Sequence, residues 1–351
     1  MRYTTFGRQT GLRVSEYALG TGNFGTRWGA GAEPDEARRI FDGFAEAGGT
    51  FLDTADSYQF GESEELVGKF VAADRDHFVL ATKFTNGAAP QPGISRTGNS
   101  RKNMIASLEA SLRRLGTDYV DLYWVHFPDN LTPMEEILRG LDDLVTSGKI
   151  LHVALSNFPA WRVSRAVTLA DLKNWAPVTG IQVEYSLVER TADRELLPMA
   201  ESLGLGAALW SPLGGGLLTG KYRHSTEGRL TDLKAVIHTE STEQKTAVVD
   251  AVLAVAEETG ATPAQVSVSW LRERATQAPI SYVPIIGPRN PGQLDEYLAA
   301  LDVRLTPKQF QRLSEVSAIP LGVPHEAAAG ARDAVQGGDA RRVTPPATPV
   351  A

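Results

Sequence analysis

Short apolar segments alternate with longer amphipathic segments along most of this chain. Residues 120–125 are typical of the apolar segments, because they are rich in β-branched and aromatic side chains and predict a strand. Residues 99–115 are typical of the amphipathic segments, since apolar residues recur there at three- and four-residue steps and predict a helix. With residues 14–19 as the first strand, the pattern repeats as eight strand-helix units. Such strands pair in parallel through right-handed crossovers, so eight units predict a closed α/β barrel, the (β/α)8 TIM barrel.

The alternation is interrupted at residues 211–242, which are polar and rich in glycine. It then resumes, with predicted elements at 243–258, 263–274, 281–286 and 293–301. No change of composition marks a second domain, so residues 1–324 are predicted to form a single-domain barrel. Residues 325–351 are rich in Ala, Gly, Pro and Arg, show no apolar periodicity and are predicted to form a mobile tail.

Four chemically active side chains lie where apolar segments end. Asp53 ends one segment and Tyr58 follows it after a short loop, whereas Lys83 and His126 end the next two segments. In a parallel barrel the carboxyl ends of the strands meet at one rim, so the four side chains are expected to converge there. A carboxylate, a phenol, an ammonium and an imidazole in one place predict a proton-transfer site. Considered one at a time, Tyr58 could simply pack and Lys83 could simply be solvated.

Composition narrows the classes of protein that fit this pattern. The chain has 351 residues, 42% of them apolar, which suffices for one large barrel, and it has no cysteine for disulfides or thiolate chemistry. No apolar run is long enough to cross a bilayer and no signal segment opens the chain, which favours a cytoplasmic protein without a membrane partner. The net charge of -7 argues against a nucleic-acid partner. No pair of histidines has metal-ligand spacing, so no metal is predicted.

Several separated motifs resemble those of the aldo-keto reductases. Residues 51–58, Phe-Leu-Asp-Thr-Ala-Asp-Ser-Tyr, and 61–64, Gly-Glu-Ser-Glu, look like the family signature, and Lys83 and His126 match its other catalytic positions. The chain is similar in particular to the bacterial branch that lies near the potassium-channel β subunits. The resemblance implies a (β/α)8 barrel that binds NADPH without a Rossmann domain. It also implies the reversible reduction of small aldehydes or ketones to alcohols.

Residues 20–25 also match the G-x-G-x-x-G pattern of dinucleotide-binding folds. In a Rossmann domain a helix would begin at the third glycine, but the residues that follow here are a poor helix start. We therefore interpret this segment as a glycine-rich loop on the barrel rim, where it can lie beside a ligand.

The resemblance further implies where the cofactor binds. Asn157 and Gln182 follow consecutive strands, and their amides can both donate to and accept from the nicotinamide carboxamide. Trp210 offers a flat face for ring stacking, Lys221 a charge for the pyrophosphate and Arg289 a planar fork for a 2′-phosphate. The expected cofactor-binding residues are Gly22, Asn23, Asp53, Ser156, Asn157, Gln182, Trp210, Ser211, Pro212, Leu213, Gly215, Lys221, Gly287, Arg289 and Gln293.

The four strand-end side chains then suggest a mechanism. Hydride transfer to a carbonyl places negative charge on its oxygen, which needs a proton donor. A phenol with a pKa of about 10 is a slow donor, but a neighbouring ammonium favours the phenolate and lowers that value. Tyr58 is therefore expected to be the general acid, with Lys83 as the ammonium. Asp53 is expected to hold Lys83, and His126 to orient the carbonyl.

The substrate is expected to lie among three loops, residues 23–31, 86–101 and 127–131. Trp28 and Phe127 would form an apolar wall near the catalytic phenol, and pockets with such walls and few polar groups accept many substrates. The expected pocket residues are Phe24, Trp28, Tyr58, His126 and Phe127.

Two other functions fit parts of the pattern. The first is a nicotinamide-bound regulatory or partner-binding subunit with little turnover, as the channel β subunits suggest, although it would not need all four active side chains. The second is a barrel aldolase that uses Lys83 as a Schiff-base lysine. The sequence leaves the oligomeric state open, since it shows neither heptads nor apolar patches. It also leaves open how strictly NADPH is preferred, because Gln293 and Tyr297 stand where many family members carry arginine and asparagine.

Overall fold

Eight parallel strands form a closed barrel in the computed structural model, which describes residues 1–224 and 238–346. The strands follow chain order around the barrel, and the last strand pairs with the first. An antiparallel hairpin precedes them. The hairpin is β1 (Tyr3–Thr5) and β2 (Arg13–Ser15), and the barrel is β3 (Ala18–Gly20), β4 (Phe51–Asp53), β5 (Val79–Phe84), β6 (Val120–Val125), β7 (Ile150–Ser156), β8 (Val178–Glu184), β9 (Gly206–Trp210) and β10 (Tyr282–Ile286). The TIM-barrel fold predicted from the sequence is confirmed.

Helices cover the outside of the barrel. Several of them begin at a residue whose side chain caps the helix. The side chains of Ser100, Thr262 and Thr306 each accept a hydrogen bond from a backbone N–H of the first turn. The described helices are α1 (Pro34–Glu46), α2 (Glu62–Val71), α3 (Arg101–Leu115), α4 (Met134–Thr146), α5 (Ala160–Lys173), α6 (Leu196–Leu203), α7 (Glu243–Thr259), α8 (Pro263–Thr276), α9 (Pro291–Ala299), α10 (Pro307–Val316), α11 (His325–Gly330) and α12 (Arg332–Val335).

Most residues of the barrel strands are buried on both faces, although Leu151 of β7 is exposed. In β6, Leu122 and Trp124 belong to the core inside the barrel, whereas Tyr123 and Val125 belong to the core between the strands and the helices. Because neither face meets water, apolar residues continue along the strand without the alternation of a half-exposed sheet. A polar side chain that does lie on such a strand, such as Lys83, is therefore placed in a buried environment.

The hairpin closes the end of the barrel at which the strands begin. Phe6, which follows β1, is fully buried and makes edge contacts with Phe51 and Trp124, with ring centroids 5.7 and 6.1 Å apart. Gly180 and Gly206 leave the space for this ring, because a Cβ at either position would come within 3 Å of it. With this end plugged by a side chain, ligands have access to the barrel from the carboxyl ends of the strands.

Two stretches differ from the sequence prediction. Residues 14–19 are not one strand, because the buried Ser15 hydroxyl donates to the Tyr17 carbonyl and accepts from the Thr50 and Phe51 amides, which turns the chain between β2 and β3. Helix α10 was not predicted, although a capping box and an N-terminal proline begin it.

Part of the glycine-rich interruption, residues 225–237, lies outside the described residues. Before that gap, residues 211–224 form short 3-10 turns rather than a regular helix. The tail that begins at residue 325 contains the two short helices α11 and α12, which apolar periodicity did not indicate. The mobility of this tail and the boundary at residue 324 remain predictions.

Candidate active site

Lys83 lies at the centre of the site. It is fully buried near the end of β5, and its ammonium donates to Asp53 Oδ2 at 2.6 Å, to the Thr54 carbonyl at 2.8 Å and to the Tyr58 hydroxyl at 3.1 Å. Asp53, at the end of β4, is only 2% exposed. All three donors of the ammonium are therefore used, which fixes the cation relative to the phenol.

The charge of Lys83 depends on these partners. Burial alone would lower the pKa of Lys83, because water no longer stabilises the cation. The Asp53 carboxylate and the Tyr58 oxygen act in the opposite direction, and the resulting pKa is above the usual value. Lys83 therefore remains a cation at neutral pH. An amine held in that state is a poor nucleophile, which argues against the Schiff-base alternative.

Tyr58 begins a tight turn with unusual backbone geometry. Its two successors, Gln59 and Phe60, have positive φ angles of 50° and 52°, and Gly61 has a φ of 93°. A non-glycine residue in this region costs about 1–3 kcal/mol, so other contacts must hold the turn in place. The turn directs the Tyr58 ring toward the rim, where Gly22 lies so close that a Cβ there would be 3.7 Å from the ring.

The side chain of Gln59 supplies those contacts. It is 1% exposed, accepts from the Trp28 amide at 2.7 Å, and donates to the carbonyls of Ala30 at 2.9 Å and Gly22 at 3.3 Å. One side chain thus joins the turn that carries the phenol to the glycine-rich loop after β3. No periodicity or motif in the sequence indicates this role, and Gln59 is not among the expected site residues.

His126 follows β6 and is held as a neutral imidazole. It is 8% exposed, and burial together with the nearby Lys83 charge holds its pKa well below the usual value. Its ring meets Tyr58 edge-on, with centroids 6.0 Å apart, and stacks on Phe127 at 4.7 Å. Its buried Nδ1 has no hydrogen-bond partner among the described residues. A neutral imidazole in this position can donate one hydrogen bond to a carbonyl without competing with Tyr58 for protons.

Both the nitrogen and the oxygen of the Asn157 side-chain amide form hydrogen bonds within the protein. Its Nδ2 donates to the His126 carbonyl at 3.1 Å and to Ser156 Oγ at 3.0 Å, and its Oδ1 accepts from Trp210 Nε1 at 3.2 Å. Its own φ of 60° is in the left-handed region. The structure therefore brings Ser156, Asn157 and Trp210 together as expected. Because both amide hydrogens of Asn157 are already bonded within the protein, a ligand carboxamide could accept from Asn157 only by replacing one of these bonds.

Gln182 makes a contact that the sequence did not suggest. Its Nε2 donates to Asp53 Oδ1 at 2.9 Å, so it bonds the carboxylate whose other oxygen binds Lys83. The expectation that this amide faces only the cofactor is therefore incomplete. Gln182 links the predicted cofactor side of the rim to the proton-transfer side.

The loop after β9 contains several residues with positive φ angles. Ser211 has a φ of 59°, residues 214–216 are glycines with positive φ, and Ser211 Oγ accepts from the Gly215 amide at 3.0 Å. A Cβ on Gly216 would lie 3.2 Å from the Lys221 side chain, so the missing side chain leaves room for that cation. The hydroxyl of Tyr222, which is not among the expected cofactor-binding residues, donates to the Gly215 carbonyl at 3.0 Å. Pro212 and Leu213 lie within this loop.

The loop after β10 is tied to the loop after β3. Asn23 Nδ2 donates to the Gly287 carbonyl at 2.9 Å. The Gln293 side chain accepts from the Arg289 backbone amide at 2.9 Å, and the Gln293 backbone amide donates to the Asn290 side chain. The expected cofactor residues of this segment are thus adjacent, and Gln293 shapes the Arg289 backbone.

Two of the expected pocket aromatics lie beside the catalytic phenol and imidazole, and the third does not. Trp28 meets Tyr58 edge-on at 6.1 Å, and Phe127 is 40% exposed beside His126. Phe24, by contrast, is fully buried and its ring contacts Phe70 of α2 at 6.2 Å. The prediction that Phe24 lines the pocket was wrong, because its side chain packs into the core under the loop rather than toward the mouth.

One group of described residues has donor atoms close enough for a metal. Single ligand atoms of Glu184, Glu189 and His238 lie within 4.8 Å of one another. Lys245 Nζ lies 3.2 Å from His238 Nδ1, and Glu184 lies 2.9 Å from His238 Nε2. An ammonium can only donate, so Nδ1 is the acceptor and Nε2 carries the proton toward Glu184. That tautomer offers no free lone pair to a cation at Nε2.

Among the described helices, none has the length and apolar content to span a bilayer.

Comparison with known proteins agrees with this geometry. The model of the aldo/keto reductase family matches residues 17–318. The chain is 36% identical over 338 residues to the uncharacterized oxidoreductase YrpG of Bacillus subtilis, covering 93% of this chain and 99% of that protein. It is 35% identical over 341 residues to the aryl-alcohol dehydrogenase [NADP(+)] of Phanerodontia chrysosporium, covering 90% and 86% of the two chains. It is 34% identical over 324 residues to the norsolorinic acid reductase of Aspergillus flavus, covering 90% and 80%.

Proposed function

The chain belongs to the aldo/keto reductase family of oxidoreductases, and from that premise we propose that it reduces an aldehyde or ketone to an alcohol with NADPH. The observation that carries the proposal is the position of Lys83, whose ammonium bonds both Asp53 and the Tyr58 hydroxyl. This arrangement couples a charged donor to a phenol at the open end of the barrel. A phenol so placed is suited to deliver a proton to a carbonyl oxygen.

Each of the four residues has a separate task in this reaction. Tyr58 gives its proton to the carbonyl oxygen, and Lys83 stabilises the phenolate that remains. Asp53 holds Lys83 in place and balances its charge. The neutral His126 donates a hydrogen bond that orients the carbonyl. In the direction of alcohol oxidation the Tyr58 phenolate accepts the proton instead.

NADPH would supply the hydride, and the residues present fit it. The amides of Asn157 and Gln182 match a carboxamide, and the glycine turn at 214–216 with Lys221 offers a cation beside an open backbone. Arg289 is the proposed partner of the 2′-phosphate. The relative named aryl-alcohol dehydrogenase [NADP(+)] supports NADP over NAD.

An aromatic carbonyl compound is the substrate class that we favour. Trp28 and Phe127 flank the Tyr58–His126 pair and offer flat apolar surfaces. Planar rings gain dispersion and edge contacts between such surfaces. Relatives whose names refer to an aryl alcohol and to norsolorinic acid agree with this choice. The cytoplasmic location, the absence of nucleic-acid, membrane and metal partners and the oligomeric state remain predictions.

The test is the Tyr58→Phe variant, assayed by NADPH oxidation with a panel of aromatic and aliphatic aldehydes. The wild type should turn over, and the variant should lose at least about 10²-fold in kcat because it has no proton to give. NADPH binding, followed by quenching of protein fluorescence, should change little. Tyr3→Phe, at an exposed tyrosine of the hairpin, is the matched control and should retain full activity.

Two results would contradict the proposal. Undiminished carbonyl reduction by Tyr58→Phe would remove the phenol from the mechanism. A wild type that binds NADPH tightly but turns over none of the panel would favour the regulatory subunit that the sequence left open.

A further inference from the structure

The orientation of the His126 imidazole depends on the rings around it. A histidine that acts on a substrate usually has its second ring nitrogen held by a hydrogen bond to a carbonyl or a carboxylate. Here the buried Nδ1 has no such partner among the described residues. The ring instead meets the edge of Tyr58, at a centroid distance of 6.0 Å, and stacks on Phe127 at 4.7 Å with the two planes 23° apart.

The backbone of His126 is anchored on both sides. Its amide donates to the Phe84 carbonyl at 3.0 Å, and its carbonyl accepts from Asn157 Nδ2 at 3.1 Å. Successive side chains of a strand point to opposite faces, so the neighbouring rings of His126 and Phe127 can stack only where the chain leaves the strand conformation after β6. The contacts that fix the chain at Phe127 therefore also fix the ring on which the imidazole stacks.

Asn99 makes the decisive contact with this part of the chain. It is fully buried and lies just before the residue that caps α3. Its Nδ2 donates to the Phe127 carbonyl at 2.9 Å, and its Oδ1 accepts from Thr85 Oγ1 at 2.8 Å. Its backbone amide donates to Asp129 Oδ2 at 2.8 Å. One residue thus joins the chain that follows β5 to the chain that follows β6.

Asp129 holds the far side of the same turn. Its Oδ1 accepts from the backbone amides of Leu131 and Thr132 at 3.0 and 2.9 Å, and its Oδ2 accepts from the Thr132 hydroxyl at 2.6 Å. Partial burial acts to raise the pKa of Asp129, but these hydrogen bonds and the one from the Asn99 amide outweigh it and lower the pKa to about 2. Asp129 therefore stays ionised at neutral pH and keeps its bond to Asn99.

Thr85 holds the near side. It directly follows β5, two residues after Lys83, and its φ of 137° is unfavourable for a β-branched residue. Its carbonyl accepts from the Gly98 amide at 2.8 Å, in addition to the bond between its hydroxyl and Asn99. Contacts of this kind are needed to hold a strained backbone in place. The link through Asn99 is consequently fixed at both of its ends.

We propose that Asn99 is a positioning residue for the reaction: by fixing the backbone of Phe127 it holds the ring against which His126 stacks, and so sets the direction in which the imidazole meets the substrate carbonyl. The inference rests on the role proposed for His126 above. Asn99 acts only through Phe127, and no proton or hydride passes through it. Its removal leaves the bonds of Lys83 to Asp53 and Tyr58 in place.

The first test compares the kinetics of Asn99→Ala with those of Asn103→Ala. Asn103 of α3 is a matched control, because it is 1% exposed and its Nδ2 donates to the Gly98 carbonyl at 2.8 Å, but its side chain bonds to no described residue of the chain after β6. Both variants lose a buried amide and should lose stability alike. Only Asn99→Ala should lower kcat for carbonyl reduction, by about 10-fold, with KM changed less than about 3-fold and NADPH affinity unchanged.

A double-mutant cycle shows whether Asn99 acts through His126. His126→Asn alone should lower kcat by about 10²-fold, as the loss of one oriented hydrogen-bond donor does. Adding Asn99→Ala should then lower kcat by less than about a further 2-fold, because the ring that Asn99 orients is gone. Two losses that multiply would contradict the proposal, and so would an equal loss of kcat in Asn103→Ala.

A spectroscopic measurement reports on the imidazole itself. The ring resonances of His126 are followed by NMR in protein labelled at histidine and are assigned by their loss in His126→Asn. Stacked aromatic rings displace such resonances, so Asn99→Ala should move them toward the values of an exposed histidine, whereas Asn103→Ala should not. Asp129→Asn, which weakens the bond to the Asn99 amide, should move them in the same direction and serves where Asn99→Ala does not fold. Resonances that neither variant moves would overturn the proposal.

The NMR readout does not depend on turnover. If the resonances move but the wild type reduces no carbonyl compound, the proposed function fails while the control of His126 by Asn99 stands. If the wild type is active and Asn99→Ala changes neither the resonances nor kcat, the positioning role fails alone. Resonances that move without any loss of kcat would also overturn it, because the reaction would then not use the direction that Asn99 sets.

Discussion

The rim of this barrel has two halves that are organised in opposite ways. On the side of β4 and β5, the Lys83 ammonium donates to three oxygens, and those bonds can persist through a reaction cycle. On the side of β7 and β9, Asn157 and Trp210 bond to each other and to the backbone where a cofactor is proposed to bind. The first half is arranged in advance, whereas the second must exchange protein partners for ligand partners.

The difference indicates how the two halves should respond to mutation. Removing a group from the prearranged half leaves a buried charge without its partner, so stability and activity fall together. Removing a group from the exchangeable half costs one hydrogen bond or a few, and affects mainly ligand affinity. Gln182 is the residue through which the halves meet, because it bonds Asp53 from the cofactor side.

The largest effect is expected for Lys83→Met. It should lower kcat for reduction by about 10²- to 10⁴-fold and the free energy of unfolding by about 3–5 kcal/mol, because Asp53 becomes a buried charge without a cation. Adding Asp53→Asn should restore much of the stability and none of the activity. The measurements are steady-state kinetics and urea unfolding. A stable Lys83→Met protein would show that this half is not prearranged by charge.

A smaller effect, on both stability and NADPH affinity, is expected for Gln182→Leu. The variant loses the bond to Asp53, which should cost about 1.5–3 kcal/mol in unfolding free energy, and it should weaken NADPH binding by about 10-fold. Fluorescence titration and urea unfolding give the two values. Gln311→Leu, at an exposed position, controls for the change of residue type. Loss of affinity without loss of stability would assign Gln182 to the cofactor half alone.

Gln59→Ala tests the connection between the phenol and the loop after β3. Three hydrogen bonds disappear, so the amides of residues 22–30 should exchange with solvent faster, and the KM for carbonyl substrates should rise several-fold with NADPH affinity nearly constant. Hydrogen exchange followed by mass spectrometry measures the first effect. Unchanged exchange in this loop would mean that other contacts hold it.

The smallest effect concerns pH. The pKa of His126 is well below 6.5 in the folded protein, so on acidification the unfolded chain takes up this proton first. The stability that depends on neutral His126 is therefore complete above pH 6.5 and is lost below it, by up to about 1.4 kcal/mol per pH unit. Urea unfolding of wild type and His126→Asn between pH 5 and 8 measures the difference. Parallel curves would show that His126 is not held neutral.

The sequence predicted the barrel and the convergence of Asp53, Tyr58, Lys83 and His126, because both depend on where strands end along the chain. It did not predict that Phe24 turns into the core or that Gln182 bonds Asp53, since a side chain's direction and its choice among polar partners are set by tertiary packing. The Gln59 contacts and the turn at Ser15 were not predicted, for the same reason. The catalytic and cofactor roles themselves remain predictions.

The phenylalanine plug at the closed end of the barrel has a consequence for how the polypeptide is made. Phe6 is synthesised before the glycines that make room for its ring, which stand at positions 180 and 206. The neighbouring amide of Gly7 bonds a hydroxyl 274 positions further along the chain. The Phe6 ring therefore has no complete binding site until β9 has been synthesised. Nascent chains arrested before β9 should consequently be targets for chaperones that recognise exposed aromatic side chains.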